Sequence, residues 1–88
     1  MDEKMKKIRS EARKIEPIMR IGKNGITENV VNEIVKLLKK REYIKIKFLH
    51  SFIGMEDRKE AGKELAEKSN SDIVEQVGGV VVLMKKRK

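Results

Sequence analysis

A glycine-flanked junction is the segment of this chain whose residue types best suit ligand binding. Gly22-Lys23-Asn24-Gly25 follows a short apolar stretch and leads to Thr27, a good helix N-cap. Glycines let the backbone approach a ligand closely, the amides and dipole at the helix start attract a phosphate, and Lys23 adds a full positive charge. An ordinary tight loop before a helix shows the same pattern, so the four residues alone favour phosphate binding only slightly.

The form of the motif indicates which class of phosphate-containing ligand it would bind. A GXXG loop of this form is typical of clamps that hold a nucleic-acid backbone without reading its bases. The nucleotide P-loop pattern G-x-x-x-x-G-K-[ST] does not occur in the sequence. The loop therefore indicates a polymer backbone rather than a free nucleotide.

Basic side chains surround this loop in the sequence. At about 100° per residue, Lys6, Arg9 and Arg13 fall on one stripe of a predicted first helix, and Arg20 stands just before the loop. Residues 1–50 carry 14 basic and 7 acidic side chains, whereas residues 51–84 carry 4 and 7. A solvated charged face would look similar, but the asymmetry favours a backbone-binding surface.

The overall charge agrees with an anionic polymer as partner. The 88 residues include 22 basic and 14 acidic side chains, for a net charge of +8 with the single histidine neutral. This excess favours nucleic acid or an anionic membrane surface. The N-terminal residues lack an apolar signal region, and no apolar run reaches the roughly 18–20 residues of a membrane span, so a cytoplasmic location and no membrane partner are expected.

Catalytic chemistry has little support in the residue inventory. The chain has no cysteine, and His50 lacks a serine or cysteine arrangement that it could activate. Glu56 and Asp57 form a carboxylate pair, but helix capping by Asp57 explains it more simply. We therefore expect no enzyme activity, no catalytic or metal-binding residues, no cofactor and no small-molecule substrate.

Hydrophobic periodicity predicts seven elements in the order α-β-α-β-α-β-β. Helical spacing of three and four residues runs from Met5 to Ile15, where Pro17 should stop the first helix. The second helix should run from Thr27 to about Lys40, and a third should bury Ala61, Leu65 and Ala66. The predicted strands are short runs at residues 18–21, 44–48, 73–77 and 80–84.

These elements predict a single two-layer α/β sandwich over a four-stranded mixed sheet. Gly78-Gly79 separates the last two strands and suits a tight hairpin turn. Crossovers between strands should be right-handed, which places each helix against the sheet. We expect one domain at residues 1–84, followed by a basic tail at residues 85–88 that either contacts phosphate or only aids solubility.

Four ordered blocks of the sequence resemble the CRM domain, also called the YhbY-like RNA-binding module. The blocks are Ile21-Gly22-Lys23-Asn24-Gly25-Ile26-Thr27, Glu42 to Lys47, Asp57-Arg58-Lys59-Glu60, and Val77-Gly78-Gly79 before an apolar strand. The match runs over nearly the whole chain, which makes it far more specific than a lone GXXG. The chain departs from the family at Leu83-Met84-Lys85, where an aromatic residue followed by arginine is common.

The resemblance implies a fold and a function. The fold would be that of the C-terminal domain of translation initiation factor three, with the last strand antiparallel to the others. RNA would bind through Gly22, Lys23, Asn24 and Gly25 and through the adjoining basic helix that carries Arg9 and Arg13. Stand-alone members are associated with precursors of the large ribosomal subunit, so ribosomal RNA is the expected partner.

The same composition and charge also fit other functions. A DNA-coating chromatin protein is also small, basic and α/β. A protein-interaction adaptor could present the same basic face to an acidic partner. Phe52 and Ile53 could stack on an unpaired base, although packing beneath their loop is the commoner role of such a pair.

Overall fold

The computed structural model describes residues 3–51 and 58–86, which fold as three helices and one four-stranded sheet. The elements are α1 (Glu3–Ala12), β1 (Met19–Ile21), α2 (Glu28–Lys40), β2 (Tyr43–Phe48), α3 (Arg58–Lys68), β3 (Ser71–Val77) and β4 (Val80–Lys85). The strand order is β1-β2-β4-β3, with β1 parallel to β2 and with β4 antiparallel to both β2 and β3. The expected α/β fold, mixed sheet and reversed last strand are confirmed.

The larger core fills the space between the sheet and two of the helices. Alternation along β2 and β4 directs Ile44, Ile46, Val81 and Leu83 to one face, where they pack against α2 and α3. Leu65 of α3 is completely buried there. Ala61 and Ala66 on the same helix are also buried, as their spacing predicted.

The first helix lies on the opposite face of the sheet. Ile8 and Ala12 of α1 pack there with Val74, Val82 and Met84 in a second, smaller core. Helices therefore cover both faces, which differs from the two-layer arrangement expected from the sequence. Local periodicity showed that α1 has an apolar stripe, but the side of the sheet that it covers depends on the crossover path.

Two predicted boundaries are confirmed and one shifts. Thr27 caps α2, because its hydroxyl accepts a hydrogen bond from the Val30 amide at 3.1 Å. The hairpin forms across Gly78, whose φ of +58° suits glycine. Helix α1 ends at Ala12 rather than near Ile15, because the chain tightens into three-residue turns there, with the Ile15 amide 3.3 Å from the Ala12 carbonyl.

Several predictions concern residues outside the described ones. The N-cap role of Asp57, the Glu56 carboxylate and the base-stacking role of Phe52 and Ile53 all fall there. In the predicted basic tail, Lys85 belongs to β4 and the Lys86 Nζ lies 3.8 Å from an Asp72 carboxylate oxygen. The last two tail residues, at positions 87 and 88, also lie outside the described part of the chain.

Candidate nucleic-acid interface

The glycine loop forms a tight turn at the carboxyl end of β1. The Gly25 amide donates to the Gly22 carbonyl at 2.9 Å, so Lys23 and Asn24 occupy the tip, where both are exposed. Gly25 has a φ of +73°, a conformation that strains other residues. The bend is therefore at the surface, and its tip presents a lysine and an amide side chain.

Close packing explains why position 22 is occupied by a glycine. A Cβ atom built on Gly22 would lie 3.1 Å from the Ser51 hydroxyl and 3.7 Å from a methyl group of Leu49. The segment after β2 is held against this position by the Leu49 amide, which donates to the Ile21 carbonyl at 2.9 Å. The two glycines thus have different roles, since one admits a neighbouring segment and the other permits the turn.

A row of four residues crosses the sheet beside this loop, on the face that carries α1. Arg20 pairs with Lys47, Lys47 with Val80, and Val80 with Val77, so each strand contributes one residue. Paired residues share a face, and the same face of β2 and β4 carries Lys45 and Val82 against α1. We call these four residues the open row, because Arg20, Lys47 and Val77 are exposed and Val80 is partly exposed.

Lys45, which stands two residues before Lys47 in β2, has a structural role. Its ammonium group donates to the Ala12 and Ile15 carbonyls, each at 2.9 Å. These carbonyls lie at the carboxyl end of α1, where the helix dipole favours a cation. Lys45 therefore fixes the end of α1 to the sheet, whereas Lys47 projects from the uncovered part of the same face.

Arg13 is held by an acidic partner on the far edge strand. Its guanidinium donates to both Glu75 carboxylate oxygens, at 3.3 and 2.7 Å. This hydrogen bonding holds the pKa of Glu75 below its usual value, with smaller contributions from the charges of Arg13, Arg9 and Lys45. The Glu75 side chain is 17% exposed, against 62% for Arg13, so the pair sits at the border of the uncovered sheet.

The opposite flank of α1 contacts β2. Burial raises the pKa of the Tyr43 phenol, and the Glu11 carboxylate adds to the shift by its charge and by a hydrogen bond. At the start of the same helix, the Lys4 Nζ lies 3.2 Å from a Glu42 carboxylate oxygen. Helix α1 is thus oriented with Lys4 and Glu11 toward β2 and with Arg13 toward β3.

The structure does not place the basic stripe of α1 next to the glycine loop. Arg13 contacts β3, while the loop follows β1, and these strands form opposite edges of the sheet. Three strand spacings separate the edges, or about 14 Å. Lys6 is exposed and Arg9 partly exposed on the same flank as Arg13. The predicted site residues therefore form two groups: the loop with Arg20, and the helix stripe.

Sequence reasoning did not include Lys47 among the site residues. In the sequence, Ile44, Ile46 and Phe48 alternate with Lys45 and Lys47, a pattern typical of a half-buried strand with a basic outer face, and it is sufficient to suggest both lysines. Their separate roles depend on where α1 ends, because its carboxyl end engages Lys45 and stops short of Lys47.

The described ranges contain neither a membrane-spanning helix nor a cluster of metal-ligating side chains. No helix in residues 3–51 and 58–86 is long and apolar enough to cross a membrane. Within the same ranges, no cluster of three or more histidine, cysteine, aspartate or glutamate residues is placed to hold a metal ion.

Comparison with known proteins finds relatives whose sequences align with almost the whole chain. The profile of the CRS1/YhbY (CRM) domain matches residues 1–85. The Probable RNA-binding protein YqeI of Bacillus subtilis is 33% identical over 81 residues, which cover 92% of this chain and 82% of that relative. A probable RNA-binding protein of Methanocaldococcus jannaschii is 35% identical over 85 residues, which cover 96% of this chain but 63% of that longer relative.

A solved structure shows the same architecture. The solution structure of a Staphylococcus aureus protein, SAV1595, superimposes with a TM-score of 0.76 at 36% sequence identity. The alignment covers 96% of this chain and 85% of that protein. With the glycine turn, the mixed sheet and these matches together, the chain belongs to the CRS1/YhbY (CRM) domain family.

Proposed function

We propose that this chain is a non-catalytic RNA-binding protein that holds the sugar-phosphate backbone of structured RNA. The observation that carries the proposal is the position of the glycine turn beside Arg20 and Lys47. An exposed turn with a lysine at its tip continues, on the adjacent strands, into two exposed cations in register. The names of the relatives in Bacillus subtilis and Methanocaldococcus jannaschii, both probable RNA-binding proteins, favour RNA over DNA as the polymer.

The loop and the row have complementary roles in this interface. The glycine turn lets a phosphate approach the backbone at the start of α2, where the helix dipole favours negative charge. Lys23 supplies a charge at the tip, and Asn24 supplies hydrogen-bond donors and an acceptor. Arg20 and Lys47 lie on neighbouring strands about 5 Å apart, and so they can neutralise the next phosphate along the chain.

The stripe of Lys6, Arg9 and Arg13 extends the same footprint. It borders the uncovered sheet from the β3 side, about 14 Å from the loop edge. An RNA segment of several nucleotides can span that distance, whereas a single phosphate cannot. The stripe therefore adds affinity mainly for long or folded RNA.

The RNA proposed is ribosomal RNA during assembly of the large subunit in the cytoplasm. The support is the resemblance to stand-alone CRM proteins, which runs over nearly the whole chain. Purification of the protein from nuclease-free extracts, followed by sequencing of crosslinked RNA, tests this identity. Enrichment of large-subunit ribosomal RNA is expected, and enrichment of unrelated transcripts would contradict it.

Backbone binding itself is tested with one loop variant and its control. Lys23→Ala should weaken binding to a folded RNA about five- to tenfold, as measured by fluorescence anisotropy. Lys63→Ala removes the same charge from an exposed position on α3, across the sheet from the open row, and should change affinity little. Competition with duplex DNA is included, because DNA that displaces RNA at equal concentration would favour a DNA-coating protein instead.

A further inference from the structure

An apolar groove lies between the end of α1 and the β3–β4 hairpin, where β3 ends and β4 begins. Because α1 stops at Ala12, the sheet beyond it is uncovered and leaves a space of about 390 Å³. Its apolar lining comes mainly from Val77, Val80 and Val82. Lys45, Glu75 and Arg13 provide its polar wall.

The apolar floor is unusual for its exposure. Val77 is 65% exposed, although it lies in a strand and has Val80 as its cross-strand partner. These two valines form the apolar half of the open row, and the cations Arg20 and Lys47 form its other half. A ligand that fits the row must therefore combine a flat or compact apolar group with a negative charge about two strand spacings away.

We propose that this groove binds one unpaired nucleobase of the RNA, with the phosphate of that nucleotide over Arg20 and Lys47. The inference rests on the proposed function and adds to it that the protein recognises an unpaired nucleotide. Unpaired bases in loops and bulges expose their faces, whereas duplex RNA keeps them stacked. The two valines cover one face of the base.

The polar wall supplies the hydrogen-bonding groups that a base edge requires. Glu75 is held in place by Arg13, and its carboxylate retains acceptor capacity for a base amino group. The volume of the groove lies at the lower end of the roughly 300–1,000 Å³ found for small-molecule sites. It therefore accommodates one nucleotide rather than a stacked run of several.

Two oligonucleotides of identical length test the inference. One is an unpaired RNA pentamer, and the other carries a single abasic position at its centre, so that the backbone charge is unchanged. The intact protein should bind the normal pentamer about fivefold more tightly than the abasic one, as expected for burying a small apolar area. Val77→Ser should abolish this difference, whereas Val35→Thr on α2, across the sheet from the groove, should preserve it.

The outcomes separate this inference from backbone binding. If both pentamers bind equally to the intact protein while Lys23→Ala still weakens RNA binding, the base site is wrong and backbone binding stands. If neither Lys23→Ala nor the abasic position has an effect, both proposals fail. If Val77→Ser instead abolishes self-association in sedimentation experiments and leaves the pentamer preference intact, the groove is an interface between copies of the chain, which overturns the inference.

Discussion

Arg20 and Lys47 are register partners on two neighbouring parallel strands, and both side chains are exposed on the face of the sheet that carries α1. Like charges on adjacent strands repel each other, which costs some stability in the free protein. A phosphate placed between them would relieve that repulsion. Binding should therefore draw part of its free energy from removing an unfavourable contact.

This repulsion gives a first prediction. Lys47→Gln should leave the free energy of unfolding unchanged or raise it by up to about 0.5 kcal/mol, because it removes the like-charge pair. The same substitution should weaken RNA binding. Urea denaturation and anisotropy titration measure the two effects, and a variant that loses both stability and affinity would contradict the account.

Lys45 should behave differently from Lys47, although the two are separated by one residue. Lys45→Met keeps the aliphatic stem and removes two hydrogen bonds to the end of α1, so the free energy of unfolding should fall by about 1–2 kcal/mol. Lys47→Met should change it by less than about 0.5 kcal/mol. Equal losses in urea denaturation would mean that Lys45 does not anchor the helix.

Gly25 allows a test of whether RNA binding depends on the shape of the turn. Gly25→Ala places a Cβ at a φ of +73° and should cost about 1 kcal/mol of stability. Gly25→Asn should cost less, because asparagine tolerates this conformation. If RNA affinity depends on the turn, it should follow the same order, with Gly25→Ala the weaker binder.

The Arg13–Glu75 pair predicts a pH dependence. The pKa of Glu75 is lowered in the folded protein, so the pair contributes stability above the ordinary glutamate pKa of about 4.3 and loses it as the pH falls through the lower folded value. The wild-type protein should therefore lose more stability on acidification than Glu75→Gln does. Thermal melts between pH 6 and pH 3 measure this difference, with Glu33→Gln as an exposed control.

The fold could be predicted largely from local pattern. Alternation in β2, the Thr27 cap and the two-glycine hairpin each depend on a few neighbouring residues, and each is present in the structure. The order of the strands depends instead on packing between distant segments. For that reason the open row could not be assembled beforehand, since Arg20, Lys47, Val80 and Val77 meet only through three separate pairings.

The candidate site, too, could be predicted where it depends on contiguous residues and could not be predicted where it depends on contacts between distant segments. The glycine turn was recognisable because its residues are contiguous. The stripe on α1 was placed beside that turn because the two are neighbours in sequence, but Arg13 contacts Glu75, 62 residues away, on the opposite edge of the sheet. A helical periodicity reveals which residues share a face, and the partner of that face is set by the tertiary fold.

The salt dependence of RNA binding tests the central claim most directly. Each phosphate contact contributes about one unit to the slope of log affinity against log salt concentration. The double variant Arg20→Ala/Lys47→Ala should reduce the slope by about two. The control Arg41→Ala/Lys63→Ala removes the same charge from the exposed C-cap of α2 and from an exposed position on α3, and should leave the slope nearly unchanged. If both double variants reduce the slope equally, net charge alone governs binding, and the surface beside the glycine turn is not the RNA-binding site.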